Sequence, residues 1–430
     1  MRGSGGQKAR MDSPTGAYSS GAGRAGLVLA GGGARAAYQV GVLKAIREML
    51  PDPKPNPFPI ICGTSAGAVN AGALAVNCDD FGVAVEKLLD VWRNFEPRHV
   101  YRADFPGVFA NSSRWFAGFL FGAFLKNRRI SLLDNRPLES LLSRYLDFNR
   151  VERNISLGAL DAVSITCSGY TSGQSCSFFQ GAERFEGWRR SQRIGIKTKI
   201  NVAHLMASSA IPFLFPPYHL NREFFGDGSM RQVAPVSPAL HLGADRVVVV
   251  GTAKIQHGDS PERTRGDLFP TLAQIAGHVM NSIFLDSLAV DIERLERINK
   301  TVSCVPPDAL AKMGLTLHHV DVLVLTPSQP LDAIAVKHVG SLPWAIRFLL
   351  RSVGAMRRGG ANLASYLLFE RGYCNELIEL GYHDTLKRRE EVESFISGGL
   401  SIVPGAFART ARPFRSPVHE EATAGKDAKG

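Results

Sequence analysis

The sequence contains few cysteines, and their spacing argues against the usual cysteine-based metal sites. Six cysteines occur in 430 residues. None forms a Cys-x-x-Cys pair or lies beside a suitably spaced histidine, so neither a zinc site nor another metal centre is expected. Several lie within apolar runs, which predicts free, buried thiols and favours a reducing compartment. The positions are Cys62, Cys78, Cys167, Cys176, Cys304 and Cys374.

Long apolar runs are also missing. No uninterrupted apolar stretch reaches the length that a bilayer requires, which predicts that the chain has no transmembrane helix. Residues 1–24 are rich in Gly, Ser and Arg and contain no apolar segment, so they do not predict a secretory signal. Together with the thiols, these features predict a cytoplasmic protein that meets membranes only peripherally.

Blocks of like charge are absent, although the chain is basic overall. Lys and Arg number 50 against 39 Asp and Glu, a net charge of +11, and the excess is spread along the sequence. This distribution does not predict a nucleic-acid partner. It fits an ordinary solvated surface or, alternatively, contact with anionic phospholipid headgroups.

Two segments fit either the protein interior or a lipid surface. Phe105–Leu125 is crowded with Phe and Trp but broken by Gly, Asn and Ser. It suits a pair of core helices or, alternatively, an apolar lid or membrane-facing lip of a lipid site. Trp344–Arg358 carries arginines at helical spacing, offset from its apolar positions, which predicts a basic amphipathic helix. This helix either packs on the protein body or contacts anionic lipid.

Short, nearly continuous apolar runs alternate with helical segments in the middle of the chain. Such runs are typical of strands that are covered on both faces. The sequence therefore predicts an α/β fold of three layers, a mostly parallel central sheet with helices on both faces. The predicted strands are Leu27–Ala30, Phe58–Cys62, Asp161–Tyr170, Gln174–Gln180, Glu223–Phe225, Arg246–Gly251 and Val322–Thr326, and the predicted helices include Ala36–Leu50, Ala66–Val76 and Val83–Phe95.

The stretch Gly63-Thr64-Ser65-Ala66-Gly67 matches the pattern Gly-x-Ser-x-Gly between a predicted strand and a predicted helix. A serine on such a tight turn is pushed out of the backbone, and the flanking glycines relieve the crowding. The helix N-terminus also presents free N–H groups to an anion. Ser65 is therefore a candidate nucleophile. The alternative is a serine that only caps the helix.

A glycine-rich loop, Gly31-Gly32-Gly33-Ala34-Arg35-Ala36, follows the first predicted strand. Its backbone N–H groups could bind an anion in two ways. One is a dinucleotide-binding loop, but the last glycine of that fingerprint is Ala36 here and the next strand does not end in an acidic residue. The other is an oxyanion hole, which would face Ser65 if the first two strands pair in parallel.

A nucleophilic serine needs a base, and no histidine is well placed to be one. His204 and His241 fall on predicted helices and fit structural roles. Asp227 lies between Gly226 and Gly228 after a short apolar strand. It is either a turn residue or, beside an exposed serine, the base.

These three motifs together resemble the patatin-like phospholipase family, whose pattern is Gly-Gly-Gly-x-Arg-Gly, then Gly-x-Ser-x-Gly, then Asp-Gly-Gly or Asp-Gly-Ala. The resemblance covers roughly residues 25–255 and includes ASSAIPFLFPP at 207–217. It implies that Ser65 is the nucleophile, that Asp227 is the base and that N–H groups around Gly32 and Gly33 form the oxyanion hole. Arg35 matches the basic position of the family's loop.

The chain departs from the family pattern at two positions. Ala36 replaces a glycine where a helix begins, and Ser229 replaces Gly or Ala after Asp227-Gly228. The Ser229 hydroxyl could bond Asp227 and lower its basicity. The segment 365–385 resembles the C-terminal extensions of some bacterial members, for which only packing or approach to a membrane is expected.

The resemblance also implies a domain organisation. A patatin-like catalytic domain is expected over 25–255, with a mostly helical extension over 256–410 packed on it. Residues 1–24 and 411–430 are polar and are expected to be disordered tails.

The activity that the resemblance implies is hydrolysis of fatty-acyl esters of phospholipids or lysophospholipids, without a cofactor. Three alternatives stay open at this point. An acyltransferase or thioesterase would use the same two residues, a lipid-binding pseudoenzyme would keep the fold without turnover, and a nucleotide-binding module would use only the first glycine loop.

Overall fold

The structure is a computed structural model that describes residues 23–102, 131–254, 287–313, 317–352 and 361–398, with isolated positions at 275, 278–279 and 282. The segment Phe105–Leu125 and both predicted tails lie outside the described residues, apart from 23 and 24. No helix in the described part of the chain combines the length and apolar character needed to cross a bilayer.

A central sheet of ten strands, counted over the described residues, organises the fold. Its strands are β1 Ala25–Leu29, β2 Ile60–Thr64, β3 Ala162–Gly169, β4 Ser175–Gly181, β5 Trp188–Arg190, β6 Arg193–Lys197, β7 Tyr218–Leu220, β8 Glu223–Asp227, β9 Arg246–Val250 and β10 Asp321–Leu325. The order is β10-β9-β1-β2-β3-β4-β6-β5, and β8 pairs with both β3 and β7. The strands from β10 to β3 in that order are parallel to one another.

The helices lie on both faces of the sheet. They are α1 Ala37–Met49, α2 Ala66–Asn77, α3 Phe81–Arg93, α4 Pro97–Val100, α5 Arg136–Tyr145, α6 Asn149–Ser156, α7 Val202–Ser208, α8 Ser237–His241, α9 Ser287–Ser303, α10 Pro307–Lys312, α11 Leu331–His338, α12 Trp344–Ser352, α13 Ala361–Leu367, α14 Arg371–Leu386 and α15 Arg389–Ile396. Leu27 and Leu29 of β1 pack into one core, with α1 and α2, and Val28 points into the other, with α8 and α9. This alternation buries both faces of the sheet, so the three-layer α/β prediction is confirmed.

All seven predicted strands are present, and most of their ends are shifted by one or two residues. The prediction missed β5, β6 and β7. Each is short, and β5 and β6 carry several charged residues whose side chains are wholly or partly exposed. Strands of three to five residues without a continuous apolar run give too short a pattern to be recognised, which explains the omission.

The sheet extends beyond residue 255, the end of the predicted catalytic domain. β10 pairs in parallel with β9, and α14 packs along α1. In α12 the apolar positions Ile346 and Leu350 are buried, as packing on the protein body requires. Residues 353–358 of the predicted basic helix lie outside the described part of the chain.

A buried polar network fixes the helices around the two sequence motifs. The Gln39 side chain on α1 donates to the Ala30 carbonyl at the end of β1, at 2.8 Å. Asn70 on α2 donates to Gln39 Oε1 at 2.9 Å and accepts from Trp92 Nε1 on α3 at 2.9 Å. Because buried polar groups cost free energy when they are unpaired, this chain sets the positions of α1, α2 and α3 relative to the sheet.

Candidate active site

Ser65 lies at the turn between β2 and α2 and has a strained backbone. Its φ is 56° and its ψ is −128°, a conformation that costs a non-glycine residue about 1–3 kcal/mol. A Cβ at Gly67 would meet the Leu29 and Ala30 carbonyl oxygens, and a Cβ at Gly63 would meet the Gly67 carbonyl. The absence of a side chain at Gly67 therefore lets α2 begin this close to β1, and the absence of one at Gly63 lets β2 approach α2.

Sheet register places Asp227 beside this turn. Thr64, the last residue of β2, pairs with Thr166 on β3, and Asp227, the last residue of β8, pairs with Cys167. Because β4 occupies the other edge of β3 along this whole stretch, β2 and β8 share one edge and meet end to end. Ser65 and Asp227, distant in sequence, thereby become neighbours.

Ser208 links the two halves of the site. Its hydroxyl accepts a hydrogen bond from the Ser65 N–H at 2.8 Å and donates one to the Thr166 carbonyl at 2.6 Å. Two residues later, the Ala210 carbonyl accepts from the Asp227 N–H at 2.9 Å. The segment 207–217, which carries part of the family resemblance, thus holds both candidate catalytic residues in place.

The Asp227 carboxyl is fully buried, and its two oxygens differ in their hydrogen bonding. Oδ1 accepts from the Ser229 N–H at 2.9 Å, while Oδ2 accepts no hydrogen bond from any described residue. Burial raises the pKa of the Asp227 carboxyl to about 6, and the neighbouring Ser65 side chain and the Ser229 N–H act in the opposite direction. The Ser65 hydroxyl is near enough to have this effect, although the pair does not form a hydrogen bond of standard geometry.

Ser229 affects Asp227 mainly through its backbone. The sequence suggested a bond from its hydroxyl, but that hydroxyl forms no hydrogen bond of standard geometry with the described residues. Its effect on the pKa of Asp227 is smaller than that of the Ser229 N–H. A Cβ at the intervening Gly228 would meet the Thr166 carbonyl, so only glycine fits between Asp227 and Ser229.

The glycine loop lies at the end of β1, next to β2. The two strands are parallel, so their C-terminal loops open on the same edge of the sheet, as predicted. Thr252 Oγ1 donates to the Gly31 carbonyl at 2.5 Å and so anchors the loop. The N–H groups of Gly32 and Gly33 donate to no acceptor among the described residues. They remain available to an anion.

Arg35 connects this loop to α13. Its buried guanidinium donates to Ser365 Oγ at 2.8 Å, bonds the Asn362 side chain and lies 4.2 Å from the centre of the Tyr366 ring. Gly33 has a φ of 55°, and a Cβ there would meet the Tyr366 carbonyl. The sequence linked Arg35 to the oxyanion loop, but it carried no signal that α13 is the element against which this loop packs.

A cavity of about 350 Å³ adjoins Ser65 and Gly33. Its walls are mostly aliphatic and aromatic side chains of α2, α3 and α5, together with Ile211, Phe215 and Phe369. An apolar cavity beside a strained serine can hold the hydrocarbon part of a substrate. The two histidines considered from sequence do not line it. His204 packs edge-on against Phe178, and His241 stacks on Trp188.

The predicted thiols follow the expected pattern. All six cysteines are free, and all except Cys304 are buried. Burial raises the pKa of the Cys176 thiol to about 11, so this thiol stays protonated at neutral pH.

The unfavourable burial of Asp227 predicts a stability effect. An acid whose pKa is raised in the folded state destabilises that state above the raised pKa, and the penalty vanishes below the unfolded value near 4. We therefore expect Asp227→Asn to raise the free energy of unfolding by roughly 2–3 kcal/mol near pH 8. The gain should shrink progressively below about pH 6. Urea unfolding at several pH values measures this, with the exposed Asp52→Asn as the control; a gain that does not change with pH would contradict the expectation.

Comparison with known proteins agrees with the family that the three sequence motifs resemble. Residues 27–240 match the model of the patatin-like phospholipase family, a range that contains the glycine loop, Ser65 and Asp227. The chain is also similar to a patatin-like phospholipase domain-containing protein of Caenorhabditis elegans, with 34% identity over 153 residues. That match covers 34% of this chain and 10% of the relative, so the chain spans about a tenth of the length of the curated protein it matches. Through the domain over residues 27–240, the chain belongs to the patatin-like phospholipase family.

Proposed function

We propose that this protein is a serine acyl hydrolase that cleaves fatty-acyl esters of phospholipids or lysophospholipids. The observation that carries the proposal is the end-to-end meeting of β2 and β8 on β3, which puts Ser65 beside the buried Asp227. Family membership supports lipid acyl hydrolysis in general. The apolar cavity next to Ser65 supports a substrate with a hydrocarbon chain.

In the proposed mechanism Asp227 takes the proton of the Ser65 hydroxyl as the oxygen attacks the ester carbonyl. An aspartate in water is a weak base, and burial, which raises its pKa to about 6, brings it closer to the pH at which it must work. The Oδ2 atom, which accepts no bond from the described residues, is available for the proton.

The N–H groups of Gly32 and Gly33 receive the negative charge that develops on the carbonyl oxygen. A preorganised donor of this kind contributes about 10²–10³ in rate. The acyl group is left on Ser65 and the alcohol leaves with the proton. Water then attacks the acyl-enzyme while Asp227 accepts its proton, and Ser65 is regenerated.

A fluorophosphonate probe tests this assignment. We expect the wild-type protein to form a single adduct on Ser65, mapped by peptide mass. Ser65→Ala should not label, and Asp227→Ala should label at least tenfold more slowly, because the base is missing. Turnover of a phospholipid ester should fall by about 10³ or more in each variant.

The alternatives predict different results in the same samples. Folded wild-type protein that is not labelled at Ser65 would favour a lipid-binding pseudoenzyme. Labelling together with transfer of the acyl group to an added alcohol or thiol, faster than to water, would favour an acyltransferase. Ser229→Gly serves as the matched control, because it restores the family's usual residue and should keep activity.

The raised pKa of Asp227 predicts a pH profile. Because the base must be ionised, kcat/KM should fall tenfold per unit of pH below about 6. A soluble short-chain ester avoids effects of pH on lipid surfaces. If kcat/KM instead begins to fall only near pH 4, Asp227 is not desolvated in the working enzyme.

We also propose that α12 brings the protein to anionic membranes. Trp344 and Phe348 are 56% and 66% exposed and lie one turn apart, and the side chains of Arg347 and Arg351 on the same helix are exposed too. Exposed aromatic groups beside cations suit the interface of a bilayer that contains acidic lipid.

Vesicle co-sedimentation checks this surface. Binding to vesicles that contain phosphatidylserine should drop at least tenfold in the double variant Trp344→Ala and Phe348→Ala, and it should weaken with added salt. The exposed Val83→Ala provides a control at another apolar surface position. Unchanged binding of the double variant, or binding that ignores acidic lipid, would remove α12 from the proposal.

A further inference from the structure

The cavity beside Ser65 follows one face of α2. Val69, Ala73 and Asn77 line it at intervals of four positions, the spacing that places side chains on the same side of a helix. Asn77 is twelve positions after Ser65. At the helical rise per residue, the lined face is about 18 Å long.

The character of the walls changes along this length. Most of the side chains that line the cavity opposite α2 are apolar, including Trp92 of α3, whose indole N–H bonds Asn70, and Leu138 and Leu142 of α5. A hydrocarbon chain can therefore be buried there without displacing a polar contact.

At the far end the lining is polar and reaches solvent. Asn77 Oδ1 accepts from Lys87 Nζ at 2.7 Å and from Arg150 at 3.0 Å. Lys87 is exposed at this end, and Asp90 and Arg144, which also line the cavity, are exposed too. A methylene group that reached this end would lose the gain from burial and would compete with charged groups for water.

We propose that this channel measures the acyl chain of the substrate, with Ala73 as the residue that keeps its distal half open. The inference rests on the proposed function of Ser65. One leaflet of a bilayer has a hydrocarbon thickness of about 15 Å, half of the full core. The channel of about 18 Å therefore accepts a chain of the length found in membrane lipids, and a longer chain gains nothing from its additional carbons.

Ala73 is the position that decides this length. It lies eight positions after Ser65, about 12 Å along the helix, and its methyl group is half-buried against the cavity. A large side chain there would close the distal part and leave the space around Ser65 and Val69 unchanged. The accepted chain would then be shorter, while the reacting groups stay in place.

The test is a series of p-nitrophenyl esters from butanoate to octadecanoate, in which only the acyl chain varies. For the wild type, kcat/KM should rise about three- to fourfold per added methylene, then level off once the chain fills the channel. In Ala73→Phe the rise should stop at a shorter chain. The value for dodecanoate should fall by about a hundredfold, and that for butanoate should change less than threefold.

Controls separate the channel from general damage. Val83→Phe places the same large side chain at an exposed position of α3 and should leave the whole series unchanged. If Ala73→Phe does not fold, Leu141→Phe obstructs the channel from α5. In that variant too, kcat/KM should level off at a shorter acyl chain. The proposal would be overturned if kcat/KM fell equally for all esters. It would also be overturned if kcat/KM levelled off at the same chain length in both channel variants as in the wild type.

If the proposed function itself is wrong, the same experiment gives a different result. If the wild type hydrolyses no ester of the series, hydrolysis at Ser65 is refuted, and the channel is tested by binding alone. Displacement of a fluorescent fatty acid by saturated fatty acids of increasing length should show the same plateau, and Ala73→Phe should again shorten it. A preference that follows the alcohol chain of butanoate esters, rather than the acyl chain, would assign the channel to the leaving group and overturn the inference.

Discussion

The site depends on how two strands, β2 and β8, share one edge of a third strand, β3. β3 is longer than β2, so β2 covers only its first residues, and the remaining residues pair with β8 from the opposite direction. The gap between the two strand ends is where Ser65 and Asp227 meet. Each strand end has a glycine that permits close approach, Gly63 before Ser65 and Gly228 after Asp227. A change of one residue in the register of β8 would move the carboxyl to the opposite face of the sheet. The register is therefore as important to the site as the two side chains.

The same arrangement explains why the protein tolerates unfavourable groups here. Ser65 has a strained backbone, and Asp227 is buried with one oxygen that has no hydrogen-bond partner among the described residues, so both make the folded state less stable. Their neighbours compensate through well-formed contacts. Ser208 bonds the Ser65 N–H and the Thr166 carbonyl, and the Gln39–Asn70–Trp92 network fixes the surrounding helices. Strain at one residue persists only where the surrounding structure overdetermines its position, and this turn meets that condition.

Sequence reasoning predicted the sheet and the candidate residues because each had a local signal. Buried strands are apolar runs, and Gly-x-Ser-x-Gly and Gly-Asp-Gly are short patterns that can be recognised without a structure. Strands β5 to β7 lack such runs and were missed. The role of Ser208 also had no local signal, because its two partners come from β3 and from the turn after β2. The channel depends on which faces of α2, α3 and α5 oppose one another, and periodicity along one helix does not reveal its partner.

The role of α13 shows how far the site extends beyond the matched range. Arg35 is in the glycine loop, within residues 27–240, but its guanidinium binds Ser365 and stacks on Tyr366. The Tyr101 hydroxyl donates to the Leu367 carbonyl at 2.8 Å, and Phe369 lines the cavity beside Ser65. Because a planar guanidinium bonds and stacks in fixed directions, it holds the loop in one orientation relative to α13. The N–H groups of Gly32 and Gly33, which have no acceptor among the described residues, are therefore positioned partly by residues outside the matched range. For this chain, the segment around α13 contacts the glycine loop of the candidate site, and Phe369, two residues beyond α13, lines the adjoining cavity.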